Sequence, residues 1–276
     1  MIELAPHHKR GLSLTNPVMN AAGVLGFAAE YRGLIDFARL GAFVTNPLTL
    51  APRSPAHGPN AVPLPDGVLI HTGLPNPGVS AAIRRWGSEW ARLGCPVIVH
   101  LAATTPEEVS RAVERLERAD GVSGVELGLR DDVSPEEAAR AVRAARGGPP
   151  LLVCLPLARA QDIAPAALAA GADALTVGAP PRMTVPVNDS SVTGRAYRSD
   201  NLAAVLPALE ALRDMPVPLI GAGGIFSIEH ARAMLAAGAA AVQVDAAAWI
   251  QPRLMNEICA ALAGSSGLRP GRDDAR

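Results

Sequence analysis

Four groups of residues in this chain have types and spacings suited to chemistry. The first is Pro218-Leu219-Ile220-Gly221-Ala222-Gly223-Gly224-Ile225, an apolar run entering glycines before a helix-forming stretch. Such a turn brings backbone N–H groups close to an anion, with a helix dipole behind them. A tight turn with no ligand uses the same glycines, so both readings stay open. The second is a pair of histidines, His71 and His100, each able to hydrogen-bond but without the partner spacing of a triad. The third is two carboxylates, Asp131 and Asp245, at the ends of apolar runs. Burial would raise Asp131 into the range of a proton acceptor, whereas Arg130 and Asp132 beside it suit a solvated turn. The last is Cys95, Cys154 and Cys259, odd in number and far apart. They fit neither a metal-ligand spacing nor a disulfide framework, so no metal is expected and a reducing cytoplasm is.

Positioning these groups falls to eight short apolar runs: Pro17–Ala21, Ala42–Asn46, Val97–Leu101, Gly124–Gly128, Leu151–Leu155, Ala174–Gly178, Val217–Gly221 and Ala241–Asp245. Each lacks strict alternation, as a strand buried on both faces does. Helix starts follow several of them. Thr105-Pro106-Glu107-Glu108 and Ser134-Pro135-Glu136-Glu137 pair a capping residue with proline and acids in the first turn, and Ser227 begins a third. Ala169-Ala170-Gly171-Ala172 and Ala236-Ala237-Gly238-Ala239 supply left-handed helix stops before the next strand. Eight βα units predict an α/β fold closed as a single (β/α)8 TIM barrel over residues 1–263, with a disordered tail over 264–276. An open doubly wound sheet is the alternative, but the glycine-rich turn comes at the seventh strand rather than the first. Residues 47–79 and 179–199 predict long loops after strands two and six, covering the carboxyl end of the barrel. Ser80–Leu93, with Trp86 and Trp90 four apart, reads as one helix and Trp249–Ala263 as a closing helix.

Composition agrees with a packed enzyme-sized domain. Hydrophobic residues make up 49% of the 276, charged residues 18% and aromatics 3%, with a net charge of −1. That share of hydrophobics excludes a disordered chain, and the scattered charges and scarce aromatics argue against nucleic-acid binding. No uncharged apolar run reaches the roughly 18 residues of a membrane span, the best candidates being broken by Asp162, Asp173 and Asp245, and Met1–Arg10 lacks a signal-peptide core. Lys9 is the sole lysine, so 24 of the 25 basic residues are arginine.

Across nearly the whole chain, in order, run phrases that resemble one family. They are Asn16-Pro17-Val18-Met19-Asn20-Ala21-Ala22-Gly23, Glu30-Tyr31, Leu40-Gly41-Ala42-Phe43-Val44-Thr45, Leu48-Thr49-Leu50-Ala51-Pro52-Arg53 and Gly73-Leu74-Pro75-Asn76-Pro77-Gly78-Val79. The series continues through Val97-Ile98-Val99, Gly124-Val125-Glu126-Leu127, Gly221-Ala222-Gly223-Gly224-Ile225 and 237–244. Together they resemble a dihydroorotate dehydrogenase, most closely the soluble catalytic subunit that passes electrons to a separate flavin and iron–sulfur subunit. The resemblance implies an FMN-bearing barrel that oxidises dihydroorotate to orotate in pyrimidine biosynthesis, a pyrimidine-type substrate, and a homo-oligomer in the cytoplasm. It places FMN against Ala21, Ala22, Gly23, Gly194, Gly221, Gly223 and Gly224.

The same resemblance exposes departures. The family's two lysines fall on Asn46 and Cys154, so the positive charge that would stabilise a reduced flavin is missing at both. The family's base falls on Asp131 and the asparagine three residues earlier on Gly128. Ile70 stands at a substrate-binding asparagine, Asn76 lies in the neighbouring turn, and another family asparagine falls near Gly178 or Ala179. The closing Gly-Thr after strand eight is Asp245-Ala246, which sets a carboxylate against the phosphate. Arg195 or Arg198 would offset that charge, or Arg195 would pair with Asp245 and fill the site. Three functions follow: a dihydroorotate dehydrogenase-like flavoprotein, a non-catalytic barrel that has lost FMN and acts as a binding or regulatory partner, and a flavin-free barrel enzyme using His71, His100, Asp131 or Asp245.

Overall fold

A computed structural model describes residues 1–265 except Ala29 and Ala179. The tail expected from residue 264 onward therefore lies outside the described residues, apart from its first two positions. Eight parallel strands form the barrel: β1 (Val18–Asn20), β2 (Phe43–Val44), β3 (Val97–Ala102), β4 (Gly124–Gly128), β5 (Leu151–Leu155), β6 (Ala174–Val177), β7 (Leu219–Ala222) and β8 (Ala241–Val244). From β2 to β8 each strand pairs with the next in the chain, and β8 pairs with β1 through Gln243 opposite Met19.

Closure between β1 and β2 uses a side chain in place of a full ladder. A single bridge joins Met19 to Ala42. Beyond it, the buried Asn20 amide accepts from the Val44 N–H at 3.0 Å and donates to the Val44 carbonyl at 2.6 Å. Asparagine thus imitates a peptide group where the strands diverge, leaving no orphaned backbone. Gly41 lets the two chains meet, because a β-carbon there would lie 1.8 Å from the Asn16 carbonyl oxygen.

Seven helices follow strands β2 to β8, three of them starting at the predicted caps, with differences at both ends of the chain. They are α1 (Val79–Trp90), α2 (Pro106–Glu117), α3 (Pro135–Ala145), α4 (Ala160–Ala170), α5 (Asn201–Leu212), α6 (Ile228–Ala236) and α7 (Ala247–Ile250). Thr105, Ser134 and Ser227 cap α2, α3 and α6, and Ser134 with Glu137 forms a capping box. Gly171 and Gly238 hold φ of 106° and 111° at the predicted stops. The expected closing helix is two pieces, α7 and α8 (Leu254–Ser265), because Pro252 offers no N–H and disfavours helix at Gln251. Strand β1 is followed only by a short 3-10 turn, Phe37–Arg39. Helix α8 packs beside β1 instead: the Asn16 amide donates to the Cys259 carbonyl at 3.1 Å.

Two features lie outside the repeat. At the amino-terminal end, Ile2–Glu3 pairs with Ser13–Leu14, and Leu4, Ala5, Leu12 and Leu14 plug the barrel floor. At the other end, the stretches read as loops contain a four-stranded antiparallel sheet. Its order is Arg182–Val187, Ser190–Arg198, Gly67–Ile70, Ala61–Leu64. The excursions after β2 and β6 are therefore hairpins that pair with each other to make one lid. Met183, Val185 and Val187 alternate with Arg182, Thr184 and Pro186, as a half-buried strand requires.

Candidate functional site

The barrel interior is built in two layers. The lower is apolar: Met19, Ala42, Val44, Ile98, Leu152, Ala174, Ile220 and Ala241 pack against the floor plug. Two residues further along the strands the side chains point inward again. Here they become polar: His100 on β3, Glu126 on β4, Thr176 on β6 and Gln243 on β8.

Glu126 is the centre of this upper layer and is fully enclosed, at 1% exposure. Its Oε2 accepts from His100 Nδ1 at 2.7 Å. Its Oε1 accepts from the Thr176 hydroxyl and from Gln243 Nε2, each at 2.7 Å. Burial alone would raise this carboxyl, but hydrogen bonds from His100, Thr176 and Gln243, with the electrostatic attraction of the His100 ring, hold it below the ordinary carboxylate range. Glu126 is thus an ionised carboxylate with both oxygens satisfied. Imidazole Nδ1 must carry the proton toward it, so Nε2 is the ring's other face to the mouth. His100 is 9% exposed, and its Nε2 has no partner among the described residues.

Above this layer, Arg195 descends from the lid. Its Nη1 donates to Asp131 Oδ1 at 2.6 Å and to the Pro180 carbonyl at 2.9 Å. The carboxylate that meets Arg195 is therefore Asp131, from the loop after β4, and not Asp245. Cys154 on β5 lies within electrostatic reach of Glu126, Arg195 and Asp131; burial first, then the two carboxylates, push its thiol well above the ordinary value. It is a neutral thiol, not a thiolate or a cation. Tyr197 from the lid stacks edge-on against Trp249 at 5.1 Å. Burial and nearby Asp245 push its phenol up.

Asp245 closes the ring at the end of β8. Its Oδ1 accepts from the Gly224 N–H at 3.3 Å, within the turn where Gly223 and Gly224 hold φ of 87° and 72°. The other oxygen, Oδ2, is buried with no hydrogen-bond partner. Burial raises this carboxyl to about 6, against the opposing effect of the Ala246 and Gly224 amides.

The remaining residues singled out from the sequence are distributed as follows. Asn46 turns to the loop after β1, where its Oδ1 accepts from the Gly26 N–H at 3.1 Å. Ala21 continues the β8 ladder through its N–H to the Val244 carbonyl, and Gly23 follows with φ of 85°. Gly221 faces outward: a β-carbon there would lie 2.7 Å from Met234 Sδ of α6. Gly194 and Ile70 lie in the lid sheet, where a β-carbon on Gly194 would meet the Ile70 carbonyl oxygen at 2.3 Å. His71 also belongs to the lid, with Nδ1 2.7 Å from the Thr193 carbonyl. The Asn76 amide is taken up by its own turn, accepting from the Gly78 N–H and donating to Leu74 and Thr49. Arg198 pairs with Asp66 and Asp200 at the lid's edge. Glu126, Thr176, Gln243 and Tyr197 were not singled out. The available signal was a charged or amide residue inside an otherwise apolar run, as in Gly124-Val125-Glu126-Leu127. Among the described residues no three His, Cys, Asp or Glu side chains are grouped to hold a metal ion, and no helix is long and apolar enough to cross a membrane.

Comparison with known proteins matches this architecture. The profile of the dihydroorotate dehydrogenase family matches residues 7–128, and that of dihydrouridine synthase matches residues 157–269. The chain is similar to the dihydroorotate dehydrogenase B (NAD(+)) catalytic subunit of Desulforudis audaxviator, 34% identical over 266 residues, covering 88% of this chain and 86% of the relative. The corresponding subunit of Pelobacter propionicus is 34% identical over 269 residues, covering 90% and 88%. That of Geotalea daltonii is 32% identical over 276 residues, covering 91% and 90%. With relatives 34% identical aligned over almost its full length, the chain belongs to the dihydroorotate dehydrogenase family.

Proposed function

We propose that this dihydroorotate dehydrogenase-like barrel binds a small ligand at its mouth without carrying FMN, and serves as a binding or regulatory member of the family. The observation that carries this reading is Asp245. Its carboxylate takes the Gly224 amide that an anion at this turn would need, and leaves a second buried oxygen unpartnered. A carboxylate ~5 Å from a phosphate, at an effective dielectric near 20, costs about 3 kcal/mol per unit charge. That is on the order of a hundredfold in affinity.

The rest of the mouth supports the same reading. Three carboxylates, Glu126, Asp131 and Asp245, lie about the mouth, and the guanidinium of Arg195 there is already engaged by Asp131. Asn46 and the neutral Cys154 bring no charge to the positions where the family has lysine. The residues present therefore do not fit a phosphorylated flavin whose ring becomes anionic on reduction. Recording the visible spectrum of the purified protein, alone and after adding FMN, tests the proposal: a colourless protein that takes up no flavin is the expected result.

A second reading is favoured by the left-handed Gly223-Gly224 turn and by relatives matched at 34% identity. On that reading the chain is an FMN enzyme oxidising dihydroorotate in the cytoplasm, as part of a homo-oligomer. It would pass electrons to a flavin/iron–sulfur subunit. A yellow protein with one flavin per chain, bleached by dihydroorotate, would establish it.

A further inference from the structure

We propose that Asp245 and the Gly178 carbonyl form a receptor for the ammonium group of a small amine. This ligand class rests on the flavin-free reading above and deepens it, because the turn suited to an anion then takes a cation. Three features of the structure lead to it.

The first is an oxygen without a partner. Asp245 is 1% exposed, and among the described residues the buried side-chain atoms lacking a hydrogen bond comprise its Oδ2 alone. A buried acceptor left unpaired is costly, so it marks a place where a donor belongs. The carboxylate is also aimed. The Gly224 N–H anchors Oδ1 at 3.3 Å and the Ala246 amide adds a second backbone hydrogen bond, so the group cannot rotate without giving up these donors.

The second is another acceptor beside it. The point where a β-carbon on Gly223 would stand lies 3.0 Å from Asp245 Oδ2 and 2.9 Å from the Gly178 carbonyl oxygen. Two oxygens, from just beyond β8 and just beyond β6, thus converge on the bare face of Gly223. Both only accept, so a group that joins them must bring at least two donors. An ammonium has three N–H groups directed to separate acceptors.

The third is charge. Among the described residues no cationic side chain pairs with Asp245, and Arg195 is committed to Asp131 and the Pro180 carbonyl. Burial raises the Asp245 carboxyl only to about 6, so it is ionised at neutral pH and lacks a counterion. One carboxylate matches one positive charge. A divalent ion would call for more, and no three His, Cys, Asp or Glu side chains are grouped among the described residues. Tyr197 of the lid closes this corner: burial and nearby Asp245 push its phenol up, and its ring stands edge-on to Trp249 at 5.1 Å. Entry of the amine therefore requires the Ser190–Arg198 strand to lift.

Thermal unfolding at pH 7.5 tests the assignment, with methylammonium chloride as the probe. Tetramethylammonium chloride, a cation without N–H, and potassium chloride serve as references at equal ionic strength. The native chain is expected to melt about 2 °C or more higher in methylammonium chloride than in either reference. Asp245→Asn keeps the shape and removes the charge, and is expected to lose that difference while keeping the circular dichroism of the native fold. Equal midpoints of the native chain in the three salts overturn the proposal, whether or not the variant folds, and so does an undiminished difference in Asp245→Asn. Potassium chloride protecting as well as methylammonium chloride overturns the ammonium class. Flavin bound to the purified chain would overturn the function proposed above whatever the salts do. A colourless chain with equal midpoints overturns the ammonium site alone, so the two failures are distinguishable.

Discussion

Gly128 and His100 share one volume at the barrel mouth: a β-carbon on residue 128 would stand 2.4 Å from His100 Nε2 and 2.8 Å from Cε1. The imidazole cannot swing aside, because Glu126 holds its other nitrogen at 2.7 Å. A side chain at 128 and the imidazole of His100 in its present place therefore exclude one another. Gly128→Asn alone is expected to cost about 2 kcal/mol, as overpacking a well-filled site does. Adding His100→Ser should recover most of it, giving a coupling above about 1 kcal/mol in urea denaturation. Additive losses would show that the two residues do not compete for space.

The second expectation concerns Asp245 and pH. Its carboxyl stands at about 6 in the folded protein against 3.8 in the free side chain, so the folded state holds this proton more tightly than the unfolded chain. Stability on this account is unpenalised below about pH 4, falls as pH rises through the interval between those values, and carries the full penalty above about pH 6. At about 1.4 kcal/mol per pKa unit the penalty is about 3 kcal/mol. Asp245→Asn should therefore raise the unfolding free energy from urea denaturation at pH 7.5 by about 1–2 kcal/mol once the unpartnered amide is counted, and leave it nearly unchanged at pH 4. An equal gain at both pH values would place the effect elsewhere.

The lid should depend on one ion pair. Arg195 from the Ser190–Arg198 strand joins Asp131 at 2.6 Å, across 64 residues of sequence. Both side chains are about one-third exposed, so the pair contributes about 1 kcal/mol or less to global stability. Its local effect is larger, because it joins the Ser190–Arg198 strand directly to the loop after β4. Arg195→Met and Asp131→Asn are each expected to speed amide exchange over residues 182–198, with no further change in the double variant. Independent, additive increases would mean that the two residues act through separate contacts.

What the sequence shows and hides follows from the range of the interactions. Strand positions, the Thr105, Ser134 and Ser227 caps and the Gly171 and Gly238 stops depend on a few neighbouring residues, so they are legible and recur in the structure. The lid sheet is hidden by its prolines and by pairing between excursions more than 100 residues apart, as Ile70 opposite Arg195 illustrates. The polar layer is hidden for the same reason: Glu126 meets Thr176 and Gln243 across 50 and 117 residues. Residue types at 46, 154 and 245 announce that the site has changed, but not where their side chains go. Asn46 turning to Gly26, and Arg195 choosing Asp131 over Asp245, depend on backbone positions set by the whole barrel.

On the proposed function, Asp245 keeps FMN out of the mouth of this dihydroorotate dehydrogenase-family barrel. The most direct measurement is an FMN titration followed by visible absorption and flavin fluorescence, on the native chain and on the double variant Asp245→Gly, Ala246→Thr. No uptake by the native chain and an affinity at least about a hundredfold higher in the variant are expected. Stoichiometric yellow flavin on the native chain, unchanged by the double substitution, would contradict it.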